Sequence, residues 1–295
     1  MAVLLSGAGS LAVHEVTQKQ QAQQQNQSVI AEIERVHAQQ RPIERVWSEW
    51  FRGVCLVHAI VEVRGTSGEA LSGPGGHPMR HENTGSGFLA DVDGRVLTCR
   101  HVVKPWEAQS DLQRLPRGGQ VVLVSLTATF PGRAPISIPT DSIRVRSDDL
   151  DVAVFRLPPD ASAGIPRLPL HDGSIEDLAD RRAILVCYPT GLSALMAKSD
   201  SKVVDALRSQ SADMTTAIFR LAATDRFTPI FTQGTISTVR EKLIEYDAAT
   251  THGGSGGPVF GSDGRVIAVN AAVLSGFSGS NYGVPIRFGR ELLEQ

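Results

Sequence analysis

Residues 251–270 read THGGSGGPVFGSDGRVIAVN. Two short apolar runs, Pro258–Phe260 and Val266–Asn270, flank Asp263-Gly264. An Asp-Gly pair between such runs signals a β-hairpin, because both residues tolerate the left-handed conformations a tight turn requires. Ahead of the hairpin, Ser255 sits among Gly253, Gly254, Gly256 and Gly257, with Pro258 following. Glycines there let the backbone turn sharply and bring two N–H groups to one point. A serine hydroxyl is a poor nucleophile until a base takes its proton, and its attack on a carbonyl needs N–H donors aimed at the oxyanion. The N–H groups of Gly253 and Ser255 are the expected donors. A glycine-rich turn without chemistry is the plainer alternative.

Outward from this stretch the β pattern continues. Leu56–Val63, Gly87–Asp91, Val96–Thr98, Gln120–Leu126, Asp151–Leu157, Ala183–Cys187 and Gly234–Val239 are short runs bounded by Gly, Pro, Asp and Ser clusters. Many short strands with frequent turns read as an all-β sandwich or barrel. Asp93-Gly94 is a second hairpin signal. Gly65–Thr84, rich in Gly and Pro, reads as a flexible loop. Residues 195–225 contain two helical patterns, Lys202–Gln210 and Met214–Leu221, and form an insertion between strands. Long surface insertions cost little chain entropy. Ile286–Leu293 reads as a short terminal helix.

The N-terminal part differs. Residues 14–41 are rich in Gln, Glu and Ala, and Ile30, Ile33 and Val36 recur at helical spacing. Pro42 interrupts the pattern or starts a new helix, and Ile43, Val46, Trp47 and Trp50 make an apolar stripe. The expectation is one broken helix or two over residues 15–51. The upstream half is too polar to be buried alone; it lies on the surface or pairs with another chain, in a homo-oligomer or with a partner.

Composition removes several classes. The 29 basic and 31 acidic residues leave a net charge of −2, which gives no basic face for nucleic acid. No apolar stretch is long enough to span a bilayer. The 3 cysteines, Cys55, Cys99 and Cys187, each lie in an apolar run. Their odd number and spacing give no disulfide framework or zinc motif; they read as small buried hydrophobes and slightly favour a reducing, cytoplasmic compartment. Residues 1–13 are small and apolar; as a signal remnant they would mark an exported protein, but no basic residue precedes the apolar part. His77 and His81 are separated by a proline and surrounded by glycines, which favours a loop over a metal site. No metal or cofactor is expected.

Two further segments carry chemistry. Val96-Leu97-Thr98-Cys99-Arg100-His101-Val102-Val103 follows the strand Gly85-Ser86-Gly87-Phe88-Leu89 and places His101 just past a strand end. A histidine at the edge of a cleft is suited to general-base work near neutral pH. Asp151 heads the apolar strand Val152–Phe155, where a half-buried carboxylate can orient an imidazole; Asp148 and Asp149 compete for the role and read better as capping or solubilising acids. The order His101, Asp151, Ser255 is that of the chymotrypsin-type triad, not of subtilisins or α/β-hydrolases. His252, beside the glycine loop, either contacts substrate or is a plain loop residue.

Residues 54–290 resemble a chymotrypsin-fold serine peptidase, and within that group the HtrA/Deg proteases. The resemblance rests on the His101 segment, the Asp151 strand, Asp247-Ala248-Ala249 leading into Gly253–Pro258, Gly264–Asn270 and the closing Gly283-Val284-Pro285-Ile286. It implies two packed six-stranded antiparallel β-barrels with a cleft between them. The expected division is a helical extension over 1–52, a first barrel over 53–160, and a second barrel over 161–295 that includes the insertion. It implies a serine endopeptidase acting on peptide or protein substrates, with His101 as base, Asp151 as orienting acid and Ser255 as nucleophile. A catalytically silent interaction protein on the same fold is the alternative. Substrate backbone would pair with the strand after Asn270, through Ala271, Ala272, Val273 and on to Leu274. Ala249 would line the pocket for the residue before the scissile bond, arguing against Lys or Arg there and for a small or medium apolar residue. Trp47, Trp50 and Phe51 are expected on the first barrel, with a subunit interface as the alternative. The group permits trimers built through N-terminal segments. Two departures stand out: Gly254 occupies a position where the group usually has Asn, which loosens the oxyanion loop, and no PDZ domain follows before Gln295.

Overall fold

The computed structural model describes residues 5–73, 75–113, 115, 119–174, 178, 181–210, 213–273 and 280–295. It forms two compact units, Met1–Glu44 and Arg45–Gln295. The first unit is helical throughout its described length, within α1 (Leu5–Ser48). The expected break does not occur: the helix continues through Pro42. A mid-helix proline removes one backbone bond, about 3 kcal/mol, and the helix-forming residues on either side outweigh it here. Val29, Ile30, Ile33 and Val36 are exposed on its surface. Among the described residues no helix is long and apolar enough to cross a membrane.

The second unit is built from β1 (Val54–Arg64), β2 (Arg80–Leu89), β3 (Arg95–Thr98), β4 (Gln120–Thr129), β5 (Ile136–Ser137), β6 (Arg144–Val145), β7 (Ala153–Arg156), β8 (Arg182–Cys187), β9 (Ile230–Arg240), β10 (Leu243–Tyr246), β11 (Pro258–Phe260), β12 (Val266–Val273) and β13 (Asn281–Pro285). β1 to β7 make one sheet in the order β5-β4-β1-β2-β3-β7-β6; β8 to β13 close into a six-stranded barrel. The double-barrel class stands, with the first barrel left open at its β5 and β6 edges. Each of those strands has two residues, and Pro139 with the tight turn Thr140–Ser142 lies between them. A proline has no N–H to give to a ladder.

The expected loop Gly65–Thr84 is shorter than its composition implies. β2 begins at Arg80, and its polar first half zips onto β1 with Glu62↔Arg80, Ile60↔Glu82 and His58↔Thr84 in register. Cross-strand pairs replace apolar packing there: the buried Glu62 meets Arg80 at 3.1 Å, and His58 Nε2 meets Glu82 at 2.9 Å. The Asp-Gly turns form as expected, with Gly94 at φ 76° and Gly264 at φ 71°.

Short helices fill the connections: α2 (Arg100–Val103), α3 (Ser110–Gln113), α4 (Leu192–Lys198), α5 (Ser201–Ser209), α6 (Met214–Ala222) and α7 (Ile286–Leu293). The insertion therefore carries three helices instead of two. Asp200 and Asp213 cap α5 and α6 by accepting the N–H groups of Lys202 and Thr216. Val204, Leu207, Ile218 and Leu221 are buried on their inner faces.

The barrels are tied along the linker. Leu168 N–H donates to Leu89 of β2 at 2.9 Å, and Val266 of β12 exchanges bonds with Pro169 and His171. The aromatic residues after Arg45 pack on the second barrel, not the first. Trp47 stacks on Phe231 of β9 at 4.3 Å between ring centroids and Trp50 on Phe260 of β11 at 6.1 Å. Phe231 and Phe260 give the rings flat apolar partners, which offset stacking favours.

Candidate active site

His101 lies in α2, immediately after β3. Cys99 precedes that helix in an extended conformation, and Asn83 Nδ2 donates to the carbonyls of His101 and Val102. Asp151 sits two residues before β7. Its Oδ1 accepts the His101 backbone N–H at 3.0 Å, and its Oδ2 lies 2.6 Å from His101 Nδ1. A carboxylate only accepts, so the proton is on Nδ1 and Nε2 is left as an acceptor. Burial pushes the Asp151 carboxyl up, but the hydrogen bonds and charge of His101 outweigh it, so it lies below the usual carboxylate value.

Ser255 stands on the glycine loop before β11. Gly253 and Gly256 both have φ of 87°, which glycine adopts without strain. A Cβ on Gly256 would run into the Ser86 carbonyl and Thr98 Oγ1. The loop uses the N–H groups of Gly254, Gly256 and Gly257, which donate to Thr251, Asn270 and Gly254 at 3.0, 2.7 and 3.1 Å. The N–H groups of Gly253 and Ser255 have no acceptor among the described residues. The His252 carbonyl is held by the Thr190 N–H, which fixes the peptide that carries the Gly253 N–H. Ser255 Oγ donates to the Ala271 carbonyl at 3.0 Å and makes no hydrogen bond to His101 among the described residues.

All three residues line one cleft of about 1040 Å³, together with Arg100, Glu107, Asp149, Thr250, Thr251, His252, Ala271 and Tyr282. Ala249, expected on the cleft, is exposed and does not line it; Thr250 does. Ala248 is fully buried, and residues 247–250 follow β10 outside any strand. Ala271, Ala272 and Val273 form the end of β12. They lie beyond the last β11 pair, Pro258↔Val269, while the β13 side is paired at Ala272↔Tyr282 and Val273↔Asn281. Leu274 and the side chains of Ala272 and Val273 lie outside the described residues. Asp148 is bound by Arg146 at 2.9 Å, in keeping with a structural role.

The sequence reading missed Ser86. Its buried side chain donates to the Gly253 carbonyl at 2.8 Å and accepts the Tyr188 N–H at 2.9 Å, while its own N–H donates to Ser255 O at 2.7 Å. The available signal was a lone hydroxyl between two glycines in an otherwise apolar strand end. Asn270 was also missed as a hub: its carbonyl takes Gly256 N–H and its side-chain oxygen takes the Tyr246 hydroxyl.

Cys99 Sγ, a His101 ring nitrogen and an Asp151 oxygen lie within 4.8 Å of one another. Burial and the Asp151 charge raise the Cys99 thiol well above its ordinary value. With the thiol neutral and His101 Nδ1–H donating to Asp151, the three offer a metal a poor set of donors.

A family model, the trypsin-like peptidase domain, matches residues 85–269. A Synechocystis protein named as the serine protease HhoA is 30% identical over 204 residues, 68% of this chain and 40% of that one. A Halomonas elongata protein named as a DegP-like periplasmic serine endoprotease is 27% identical over 228 residues, 76% of this chain and 37% of the other. The chain spans about two fifths of the length of these curated relatives. A solved structure of the HtrA-type protease AlgW, a serine-to-alanine variant with a tripeptide, superposes with a TM-score of 0.51 at 15% identity, over 84% of this chain and 60% of that one. That likeness carries the fold. The family match covers more than half of the sequence, and this chain, which is similar to HtrA/DegP-type proteases, belongs to the trypsin-like peptidase domain family.

Proposed function

We propose that the protein is a serine endopeptidase in which Ser255 attacks, His101 shuttles the proton and Asp151 orients and stabilises the imidazolium. The carrying observation is the 2.6 Å bond from His101 to Asp151, which leaves Nε2 free to accept in the same cleft as Ser255. In the reaction Ser255 Oγ turns from the Ala271 carbonyl to His101, gives its proton to Nε2 and bonds to the substrate carbonyl carbon. The oxyanion is met by the Gly253 and Ser255 N–H groups, the two the loop leaves unused. The imidazolium then protonates the leaving amine as the C–N bond breaks, and water releases the acyl group by the same steps.

The edge of Ala271–Val273 that β11 leaves unpaired among the described residues supports β-strand addition by the substrate backbone. The cleft's carboxylates, Glu107, Asp149 and Asp151, belong to the His101 side, whereas Thr250, Thr251, His252 and Tyr282 carry no negative charge on the other. This supports an uncharged residue of small or medium size before the scissile bond. The exposed Ile30, Ile33 and Val36 face of α1 supports pairing of that helix with another chain, which light scattering of the full chain against residues 45–295 would read as a change in mass.

Labelling by a fluorophosphonate probe tests the peptidase reading. The full chain should label covalently and Ser255→Ala should not. Absence of Ser255-dependent labelling, together with no cleavage of a peptide library, would leave the silent interaction protein as the correct account.

A further inference from the structure

Of the three buried cysteines, Cys99 alone points its sulfur at the reacting constellation. Cys55 lies within β1, and Cys187 Sγ is 4.0 Å from Thr250 Oγ1. Cys99 is wholly buried, and its Sγ donates to the Asn270 carbonyl at 3.1 Å. That carbonyl also accepts the Gly256 N–H, one residue after the nucleophile. The sulfur is also within 4.8 Å of an Asp151 carboxylate oxygen and a His101 ring nitrogen. The carboxylate takes two N–H donors, both from His101, and has capacity for more. The Cys99 thiol, set within 4.8 Å of the carboxylate, is a donor that can turn to it.

We propose that Cys99 is a positioning residue whose S–H, shared between the Asn270 carbonyl and the Asp151 carboxylate, couples the base in the first barrel to the nucleophile loop in the second. The inference rests on the peptidase reading above and deepens it. When His101 becomes cationic, the charge on Asp151 is drawn toward it. A neutral donor on the far side of the carboxylate holds it in line without competing for the Nδ1 proton. A thiolate in that place would repel Asp151, and burial together with the carboxylate's charge keeps the group in its thiol form. A buried cysteine serving as a small hydrophobe would be replaced equally well by any apolar side chain of its size, and this separates the two accounts.

The test compares the full chain with Cys99→Ala, Cys99→Val and Cys99→Ser. Val fills the volume without a donor; Ser restores one. The S–H is a weak donor, so Ala and Val should lower kcat by about three- to tenfold with KM unchanged. Ser should stay within about twofold of the parent, and Tm should move little in any variant. The low-field proton resonance of the His101 Nδ1–H···Asp151 bond should move in Ala and Val and stay in Ser. Wild-type kcat and an unmoved resonance in Val would overturn the proposal. So would a Ser variant as impaired as Ala, or Ala and Val variants that fail to fold while Ser folds. The resonance needs no turnover, so it reads Cys99 even if the chain proves not to hydrolyse peptides. Activity in the parent with no loss in Val defeats the Cys99 inference alone.

Discussion

Ser86→Ala is the substitution that most directly challenges this description of the site. The side chain has one hydroxyl and two jobs, donating to Gly253 O at 2.8 Å and accepting Tyr188 N–H at 2.9 Å. Alanine leaves the space nearly filled and removes both bonds. The Tyr188 N–H is buried, and an unsatisfied buried donor costs about 1–3 kcal/mol. Gly253 is only half-buried, so its carbonyl recovers part of its loss from water and adds about 1 kcal/mol. The sum is about 2–4 kcal/mol, or on the order of 10 °C in Tm for a unit of this size. The kinetic effect has a different origin. With its carbonyl released, the peptide between Gly253 and Gly254 is held only through the Gly254 N–H to Thr251, and the oxyanion loop loses one of its fixed points. Losing one oxyanion donor costs about 10²–10³ in kcat, and partial misalignment should fall near the lower end, with KM little changed. Calorimetry gives the first number and the rate of fluorophosphonate labelling the second. A Ser86→Ala protein that melts with the parent and labels at the parental rate would refute the claim that this hydroxyl holds the loop.

Three further outcomes are expected. Asp151→Asn should lower kcat by about 10⁴-fold with the fold retained, because an amide in place of the acceptor favours the wrong imidazole tautomer; steady-state kinetics and circular dichroism read the two parts. The folded Asp151 value is depressed, so its stabilisation is fully present above the ordinary carboxylate value of about 3.9 and is lost as pH falls through the lower folded value. Urea titrations across pH should then show a constant stability gap between parent and Asp151→Asn above about pH 5 that narrows below about pH 4; a gap opening at neutral pH would contradict the assignment. Gly254→Ala would drive its Cβ into Thr250 Oγ1 and should cost about 1–3 kcal/mol. Thr250→Ala should relieve at least half of that in a double-mutant cycle, whereas simple additivity would show the contact to be immaterial.

How far the sequence reached depends on which forces fix each element. β11 and β12 were readable because they are apolar runs joined by Asp-Gly, and α7 ends where its amphipathic pattern ends. The first half of β2 was not, since Arg80, Glu82 and Thr84 look like loop residues until Glu62 and His58 are opposite them. Trp47 and Trp50 were seen to need a partner, but the partners, Phe231 and Phe260, are set by which barrel lies beneath the helix end. Pocket lining slipped by one residue, from Ala249 to Thr250, because residues 247–250 follow β10 outside any strand, where no period tells which side chain turns into the cleft.

The site itself divides the same way. His101, Asp151 and Ser255, which line one cleft, could be picked out because each proposed role demands its residue type and because their chain order belongs to one triad class. The parts that hold them were hidden. Ser86 acts on residues 167 and 102 positions away, and Cys99 bonds to a carbonyl 171 positions away. Neither contact leaves a local pattern, since a single polar side chain in an apolar strand has no period. Both lie where the two barrels meet, and this has a physical reason. Strand ends at a seam leave backbone groups of one sheet facing those of the other with no ladder to pair them. Small donors and acceptors such as a hydroxyl or a thiol satisfy those groups without opening a cavity. A fold that builds its cleft at such a seam thus fixes the glycine loop around Ser255 with the same few side chains that close the gap between its sheets.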